Sequence, residues 1–199
     1  MVERISGQPL DAFIAARITV PLRLPDTRFF LPVEQRHRLA TVYASDSSGY
    51  AIRAADGPRG QGDYVEGPRR SFSGGAGLLS TARDYARFLE MVRKRGVLDG
   101  ARILAPHTVD LMTTNQVGTR LSPDGLGFGL AFMTTDRYGA SGMTSVGTFS
   151  WSGAYGSSYW VDPKEGLVAV FMIQQLPNRS DVVGKFATLV YAALVESRL

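Results

Sequence analysis

The chain has 199 residues, of which 44% are hydrophobic and 20% charged, with a net charge of +4 and no cysteine. This length is enough for one ordinary core or for two small lobes that share an interface. The lack of cysteine excludes disulfides, thiol nucleophiles and zinc–thiolate sites. No apolar run approaches the roughly 20 residues of a membrane-spanning helix, so we expect no membrane partner. Residues 1–7 lack the pattern of a secretory signal, which leaves the compartment open.

The basic residues and the two histidines do not form the pattern of a nucleic-acid or metal site. The densest basic groups, residues 69–70 and 93–95, are not interleaved with aromatic side chains as in a nucleic-acid surface. His37 and His107 are far apart, and neither has a second ligand at metal-site spacing. We therefore expect neither a nucleic-acid partner nor a metal, and we interpret His107 as a surface residue in the first turn of a helix.

Helical spacing predicts three helices before residue 120. The first covers residues 9–18, the second begins after Ser80 or Thr81, and the third begins at Pro106. The long tract over residues 45–75 is rich in Ser, Gly, Asp, Arg and Pro, and we interpret it as a loop. A structureless connection of this length usually covers a site or awaits a partner.

The period changes to that of strands at Gly127. We predict one strand over residues 127–133, and three more over residues 146–151, 155–161 and 167–173. A tight turn over residues 162–166 makes the last two antiparallel neighbours. A final helix begins after Ser180 or Asp181, and the apolar side chains that we expect to pack on the sheet are Val182, Val183, Phe186, Val190, Leu194 and Val195.

These elements predict an α+β fold in which helices cover an antiparallel sheet. Residues 1–124 would form part of a helical lobe with long loops. Residues 125–199 would form the sheet and the C-terminal helix.

Several sequence blocks, taken together, resemble the serine β-lactamase-related hydrolases, the group of class C β-lactamases, D-alanyl-D-alanine carboxypeptidases and esterases. The blocks are residues 7–13, 21–27, 73–88 and 151–174. They span nearly the whole chain in the order of the family. The resemblance implies the C-terminal half of the β-lactamase/transpeptidase-like fold, with no cofactor.

In that family the site combines a Ser-x-x-Lys on a buried helix, a Tyr-x-Asn on a loop and a Lys-Thr-Gly-like triplet on a strand. This chain has three lysines, Lys94, Lys164 and Lys185. The residue three positions before each of them, where the motif has serine, is Met, Val and Val respectively. No tyrosine has Asn two residues later. We therefore assign no catalytic residue in this chain, and the resemblance places the nucleophile and base upstream of Met1.

The third motif falls on Trp151, Ser152 and Gly153, and the resemblance makes the N–H of Ala154 the second oxyanion donor. A lysine at the first position could pair with a substrate carboxylate, whereas Trp151 offers a flat apolar wall and one N–H donor. This favours an uncharged acyl group and hence a carboxylester substrate. Trp151 and its neighbours could instead be only an aromatic core strand.

Three functions stay open at this level. The first is the C-terminal part of a serine ester hydrolase, with β-lactamase or D-alanyl peptidase activity as its variant on amide substrates. The second is a non-catalytic protein that binds a ligand in the retained cleft. The third is an interaction protein. An unpaired sheet edge and exposed apolar surface predict self-association or a companion N-terminal polypeptide in all three.

Overall fold

A computed structural model describes residues 1–57, 61–67 and 72–196. The basic pair Arg69-Arg70 lies outside the described residues. No helix within the described ranges is long and apolar enough to cross a membrane.

The first part of the chain is mainly helical. The α-helices are α1 (Val2–Ser6), α2 (Leu10–Ile14), α3 (Ala82–Arg93) and α4 (Pro106–Thr113). A π-turn over Ala15–Thr19 prolongs α2, and short 3-10 turns cover Val33–Arg38 and Gly118–Arg120. Two small hairpins pair β1 (Tyr43–Ser45) with β2 (Ala51–Arg53), and β3 (Val97–Leu98) with β4 (Ala101–Arg102). The helix predicted after Thr81 is confirmed, because the Thr81 hydroxyl caps α3 by accepting from the N–H of Asp84 at 3.2 Å.

A five-stranded antiparallel sheet forms the second part, in the order β5-β6-β7-β8-β9. Its strands are β5 (Leu126–Phe128), β6 (Met133–Thr135), β7 (Phe149–Ser152), β8 (Ser158–Asp162) and β9 (Leu167–Phe171). Helix α5 (Val182–Ala192) follows it. The order confirms the predicted antiparallel neighbours.

The two faces of the sheet are covered by different helices. On one face Tyr85 of α3 packs against Tyr159, and on the other Phe186 of α5 packs against Trp160 and Phe171. The main core lies under α3, and its fully or nearly buried members are Leu22, Leu24, Leu89, Met91, Val92, Leu98, Val109, Phe132, Phe149, Tyr159 and Val161. Residues from both predicted parts therefore share one core, and the boundary at residue 124 stays a prediction.

The single strand predicted over residues 127–133 is wrong. The chain reverses there, with the N–H of Gly129 bonded to the carbonyl of Phe132 at 2.8 Å and Ala131 at a φ of +75°. Leu130 is consequently exposed at the tip of a hairpin between β5 and β6. Apolar alternation alone did not reveal a turn because Ala131 takes the left-handed conformation that usually requires glycine.

Three other boundaries also differ from the predictions. The tract over residues 45–75 contains strand β2, paired with β1, so it is not wholly irregular. The strand predicted to begin at Tyr155 begins at Ser158, because residues 153–157 form a turn. At the end of the chain Leu194 and Val195 are exposed beyond α5 and do not pack on the sheet.

Candidate active-site strand and turn

The predicted triplet lies where strand β7 ends. Trp151 and Ser152 are the last two residues of the strand, whereas Gly153 and Ala154 enter the turn to β8. All four residues are exposed, and Trp151 keeps 47% of its surface accessible. The structure thus places the four sequence-predicted residues side by side on one accessible edge.

Trp151 lies on the face of the sheet that α3 covers. It stands directly opposite Tyr159 across the β7–β8 ladder, and opposite residues share a face. Its indole packs edge-on against Phe128, with ring centroids 4.9 Å apart at 81°. This contact fixes the orientation of the ring while one side of it stays open to solvent.

Backbone hydrogen bonds close the turn after Gly153. The N–H of Gly153 donates to the carbonyl of Ser157 at 2.8 Å, and the N–H of Gly156 donates to the carbonyl of Gly153 at 3.0 Å. The Ser157 hydroxyl bridges to the next strand, donating to the carbonyl of Ile173 at 2.9 Å and accepting from its N–H at 3.2 Å. The turn is therefore held at its base and against β9.

The N–H of Ala154 makes no hydrogen bond with any residue that the structure describes. It sits in an exposed turn, where water or a ligand can accept from it. A backbone N–H held in place and left without a protein partner is the kind of donor that stabilises a developing oxyanion. Trp151 supplies an apolar wall two to three residues away on the same edge.

The two glycine positions of the turn differ in whether the fold requires a glycine there. Gly156 has a φ of +88°, and a side chain there would overlap Asn178, so the turn itself requires glycine. Gly153 has no positive φ, and an added Cβ would meet only the carbonyl oxygen of Ser157 at 3.9 Å. Nothing in the described fold requires a glycine at 153, so close approach of another molecule is a reason that fits it.

The aromatic residues that follow the turn belong mostly to the core. Tyr159 and Trp160 are buried, and only Tyr155 is partly accessible. Burial raises the pKa of Tyr159, and its contact with Tyr85 raises it further, so both phenols are neutral. Tyr159 and Trp160 therefore add little accessible apolar surface beside the triplet.

A buried carboxylate anchors the other end of strand β8. Asp162 accepts from the N–H of Ser145 at 3.0 Å, from the N–H groups of Lys164 and Glu165, and from the Tyr191 hydroxyl at 2.9 Å. Burial opposes its ionisation, but these hydrogen bonds outweigh it and hold the pKa of Asp162 below its ordinary value. Asp162 thus ties the sheet, the loop before β7 and helix α5 together.

The histidines and lysines occupy surface positions. His107 is 97% exposed, and Lys94 and Lys185 pair with Glu90 and Asp181 on their own helices. Within the described residues, no three His, Asp or Glu side chains lie close enough together to hold a metal ion.

The fold and these features point to one family. The family model for Beta-lactamase matches residues 1–193. The chain belongs to the Beta-lactamase family. The match covers both the α3 region and the triplet strand, so the resemblance predicted from the separate motifs is confirmed.

Relatives of the Beta-lactamase family include proteins with esterase names. Protein Rv1367c of Mycobacterium tuberculosis is 34% identical over 193 residues, which are 90% of this chain and 47% of the relative. Esterase EstB of Burkholderia gladioli is 32% identical over 189 residues, 86% of this chain and 46% of the relative. The chain spans about half the length of these curated relatives.

A solved structure with the same fold also matches almost the whole chain. The structure of EstCE1, described as a hydrolase with promiscuous acyltransferase activity, matches with a TM-score of 0.79 at 27% identity. The match covers 95% of this chain and 52% of that one. The α+β fold class predicted from the sequence, with the architecture of a C-terminal half, is confirmed.

Two features of the described structure were missed from the sequence. Ser157 holds the turn against Ile173, but a lone serine beside a glycine gives no pattern that separates it from its neighbours. The aromatic residues Phe29, Phe30 and Phe72 converge on one cavity although two of them precede the long loop and one lies within it.

Proposed function

We propose that this chain is the C-terminal part of a carboxylester hydrolase that works through an acyl-enzyme. A polypeptide carrying the Ser-x-x-Lys of the Beta-lactamase family would complete the site. The observation that carries the proposal is the N–H of Ala154, which has no partner among the described residues and lies in the exposed turn that follows Trp151. In this proposal Trp151, Ser152 and Gly153 form the substrate wall, and Ala154 supplies an oxyanion donor.

The chemistry assigns this chain one electrostatic role. The serine oxygen of the other segment bonds to the ester carbonyl carbon, and its proton passes to the neighbouring base. The carbonyl oxygen then becomes negative, and the N–H of Ala154 donates to it. The alcohol leaves with a proton from the base, and water releases the acid by the same steps. One ester and one water thus give one acid and one alcohol.

The charge of the edge supports an uncharged ester over a carboxylate-bearing substrate. Residues 149–157 contain no ionisable side chain apart from the Tyr155 phenol. A substrate carboxylate would find no cation there, because Trp151 stands at the position of the family's lysine. The esterase name of the relative EstB agrees with this assignment.

Hydrolysis of p-nitrophenyl butyrate tests the proposal. We expect the 199-residue chain alone to show only the rate of the uncatalysed reaction. Joined behind a segment that carries a family Ser-x-x-Lys, the chain should hydrolyse the ester. The matched control replaces the serine of that motif with alanine and should abolish the gain. Enzymatic hydrolysis by the isolated chain would contradict the proposal.

The role of Ala154 is tested in the same assembled protein. Ala154→Pro removes the N–H and should lower kcat by about 100- to 1,000-fold, as loss of one oxyanion donor does elsewhere. Ala154→Ser keeps the N–H and should leave kcat within about threefold. Urea unfolding of both variants checks that the fold survives. Equal kcat values in two folded variants would remove Ala154 from the mechanism.

A further inference from the structure

A cavity opens between α2 and the long loop. We call it the aromatic cavity and define it by Phe29, Phe30, Tyr64, Phe72 and Leu78. It consists of two adjoining spaces of about 300 and 240 Å³ that share Phe29 and Phe30 in their walls. Its size falls at the lower end of small-molecule pockets, which range over about 300–1,000 Å³.

Aromatic rings form one continuous part of the wall of the aromatic cavity. Phe72 packs against Phe29 with centroids 5.2 Å apart, and against Phe30 at 6.2 Å in an edge-to-face arrangement. The ionisable groups among its lining residues, other than the Tyr64 phenol, are Asp11, Arg28 and Asp63. A cavity of this kind favours an apolar, uncharged group of modest size.

Hydrogen bonds connect the cavity wall to the turn that carries Ala154. The carbonyl of Tyr64 accepts from the N–H of Leu31 at 2.7 Å, which fixes the loop over the aromatic pair. Three residues earlier, the Gln61 side chain bonds both backbone groups of Val42, at 3.2 and 2.9 Å. Tyr43, the next residue, begins the contact with the sheet.

The second half of this connection reaches the turn itself. The backbone of Tyr43 bonds the carbonyl of Gln174 and the N–H of Leu176, both at 2.8 Å. Between them, the N–H of Gln175 donates to the carbonyl of Tyr155 at 3.0 Å. Tyr155 follows Ala154 directly, so hydrogen bonds and the short chain segments between them connect the cavity wall to the residue beside the proposed oxyanion donor.

The side chains agree with this path. Burial raises the pKa of Tyr64, and the Tyr155 phenol raises it further. Tyr64 lines the cavity, and Tyr155 belongs to the turn. The cavity and the turn are thus linked through the hydrogen-bonded segments around Tyr43 and Gln175.

We propose that the aromatic cavity binds the apolar part of an uncharged ester whose carbonyl lies at the Ala154 N–H. This inference rests on the proposed function and deepens it. It makes Phe29, Phe30 and Phe72 specificity-determining residues for an aryl or branched-alkyl group. The group belongs either to the acyl or to the alcohol side of the ester.

Binding to the chain alone is the first experiment, and it does not need catalysis. Benzyl acetate is titrated in saturation-transfer NMR with the 199-residue protein and two alanine variants. Phe72→Ala should weaken binding about fivefold or more, because it removes a ring from the cavity wall. Tyr138→Ala removes an exposed ring away from the cavity and should leave binding unchanged. Equal binding by all three proteins would overturn the inference.

The second experiment measures hydrolysis by the assembled protein, in which the chain is joined behind the Ser-x-x-Lys segment. Two series of esters show which side of the ester lies in the aromatic cavity. One series compares p-nitrophenyl hexanoate with p-nitrophenyl acetate, and the other compares benzyl acetate with methyl acetate. Phe72→Ala should reduce the preference for the larger ester about fivefold in one series, which identifies the acyl or the alcohol side. Unchanged preferences in both series would overturn the inference while the hydrolase activity stands.

Two further outcomes separate this inference from the proposed function. If the assembled protein hydrolyses no ester but the chain still binds benzyl acetate through Phe72, the proposed function fails and the cavity remains a binding site. If assembly with the Ser-x-x-Lys segment abolishes benzyl acetate binding, a polypeptide covers the cavity and the inference is wrong.

Discussion

The proposed site has two sides, which are the turn with Ala154 and the aromatic cavity. The hydrogen bonds that hold these two sides differ in how far apart their partners lie in the sequence. The turn closes between Gly153 and Ser157. The cavity wall depends on Gln61 reaching Val42, 19 residues away, and on Gln175 reaching Ser45, 130 residues away, at 3.0 Å. The bonds that close the turn are therefore local, although Ser157 also holds it to Ile173, whereas the loop over the cavity is held through contacts between distant segments.

This difference separates the chemical part of the site from the part that selects the substrate. A backbone donor on a hairpin tolerates change elsewhere, since its position follows from a short ladder of hydrogen bonds. A cavity built from distant segments responds to any of its long-range contacts. We expect variants of the cavity to alter specificity and stability locally, and variants of the sheet to affect both sides.

Loss of the Asp162 carboxylate should have the largest effect on stability. Asp162→Asn leaves buried donors facing an amide that cannot accept from all of them, and should lower the free energy of unfolding by about 2–4 kcal/mol. Urea unfolding measures it. Asp181→Asn is the matched control, because Asp181 pairs with Lys185 at the surface and should change stability by about 0.5 kcal/mol or less. Equal losses would show that burial of Asp162 does not matter.

The same carboxylate should make stability depend on pH. The folded state holds the pKa of Asp162 below its ordinary value of 3.8, so this stabilisation is present above that value and is lost as the pH falls through the folded pKa. The gap in unfolding free energy between the wild type and Asp162→Asn should therefore shrink from pH 7 to pH 2.5. A constant gap would contradict ionisation of Asp162 in the fold.

Substitution of the two glycines of the turn by alanine should have different effects, on stability at Gly156 and on activity at Gly153. Gly156→Ala forces a side chain onto a φ of +88° and against Asn178, and should lower the free energy of unfolding by about 2 kcal/mol. Gly153→Ala should change it by about 0.5 kcal/mol or less, because its Cβ makes only an ordinary van der Waals contact with the Ser157 carbonyl oxygen. In the assembled protein Gly153→Ala should nevertheless reduce kcat/KM for p-nitrophenyl butyrate. Destabilisation by Gly153→Ala would show that the fold, not the ligand, requires this glycine.

The hydroxyl of Ser157 should contribute a smaller amount to the turn. Ser157→Ala removes two hydrogen bonds to Ile173 and should lower the free energy of unfolding by about 1–2 kcal/mol. Amide exchange of Gly153 should become faster, since its N–H donates to the carbonyl of Ser157. Ser158→Ala is the control, because the Ser158 hydroxyl has no partner among the described residues. Unchanged exchange in Ser157→Ala would contradict its role in the turn.

The weakest effect is expected at Gln61, on the cavity side. Gln61→Leu removes both bonds to Val42 and should cost about 1 kcal/mol, since the entropy of ordering a glutamine offsets part of their gain. Amide exchange near Tyr64 should become faster while exchange of Gly153 stays unchanged. Faster exchange at both positions would show that the two sides are not separate.

Much of this organisation could be predicted from the sequence, but the turn and the cavity could not. The helix after Thr81 and the antiparallel order of the last strands follow from periodicity and capping, which are local. The hairpin between β5 and β6 was missed because Ala131 adopts a positive φ. The placement of Trp151, Ser152, Gly153 and Ala154 on one exposed edge agrees with the predicted triplet, and their role in catalysis stays a proposal.

The sequence by itself determined the family and the α+β class, because motifs and hydrophobic periods are properties of short segments. Only the tertiary structure decided that the Ala154 N–H finds no partner within residues 1–57, 61–67 and 72–196, and that Phe29, Phe30 and Phe72 share one cavity. The physical reason is the sequence separation of the residues that must come together. A hydrogen bond left unmade, or three rings brought together across more than 40 residues, depends on how distant segments pack, which no local pattern records.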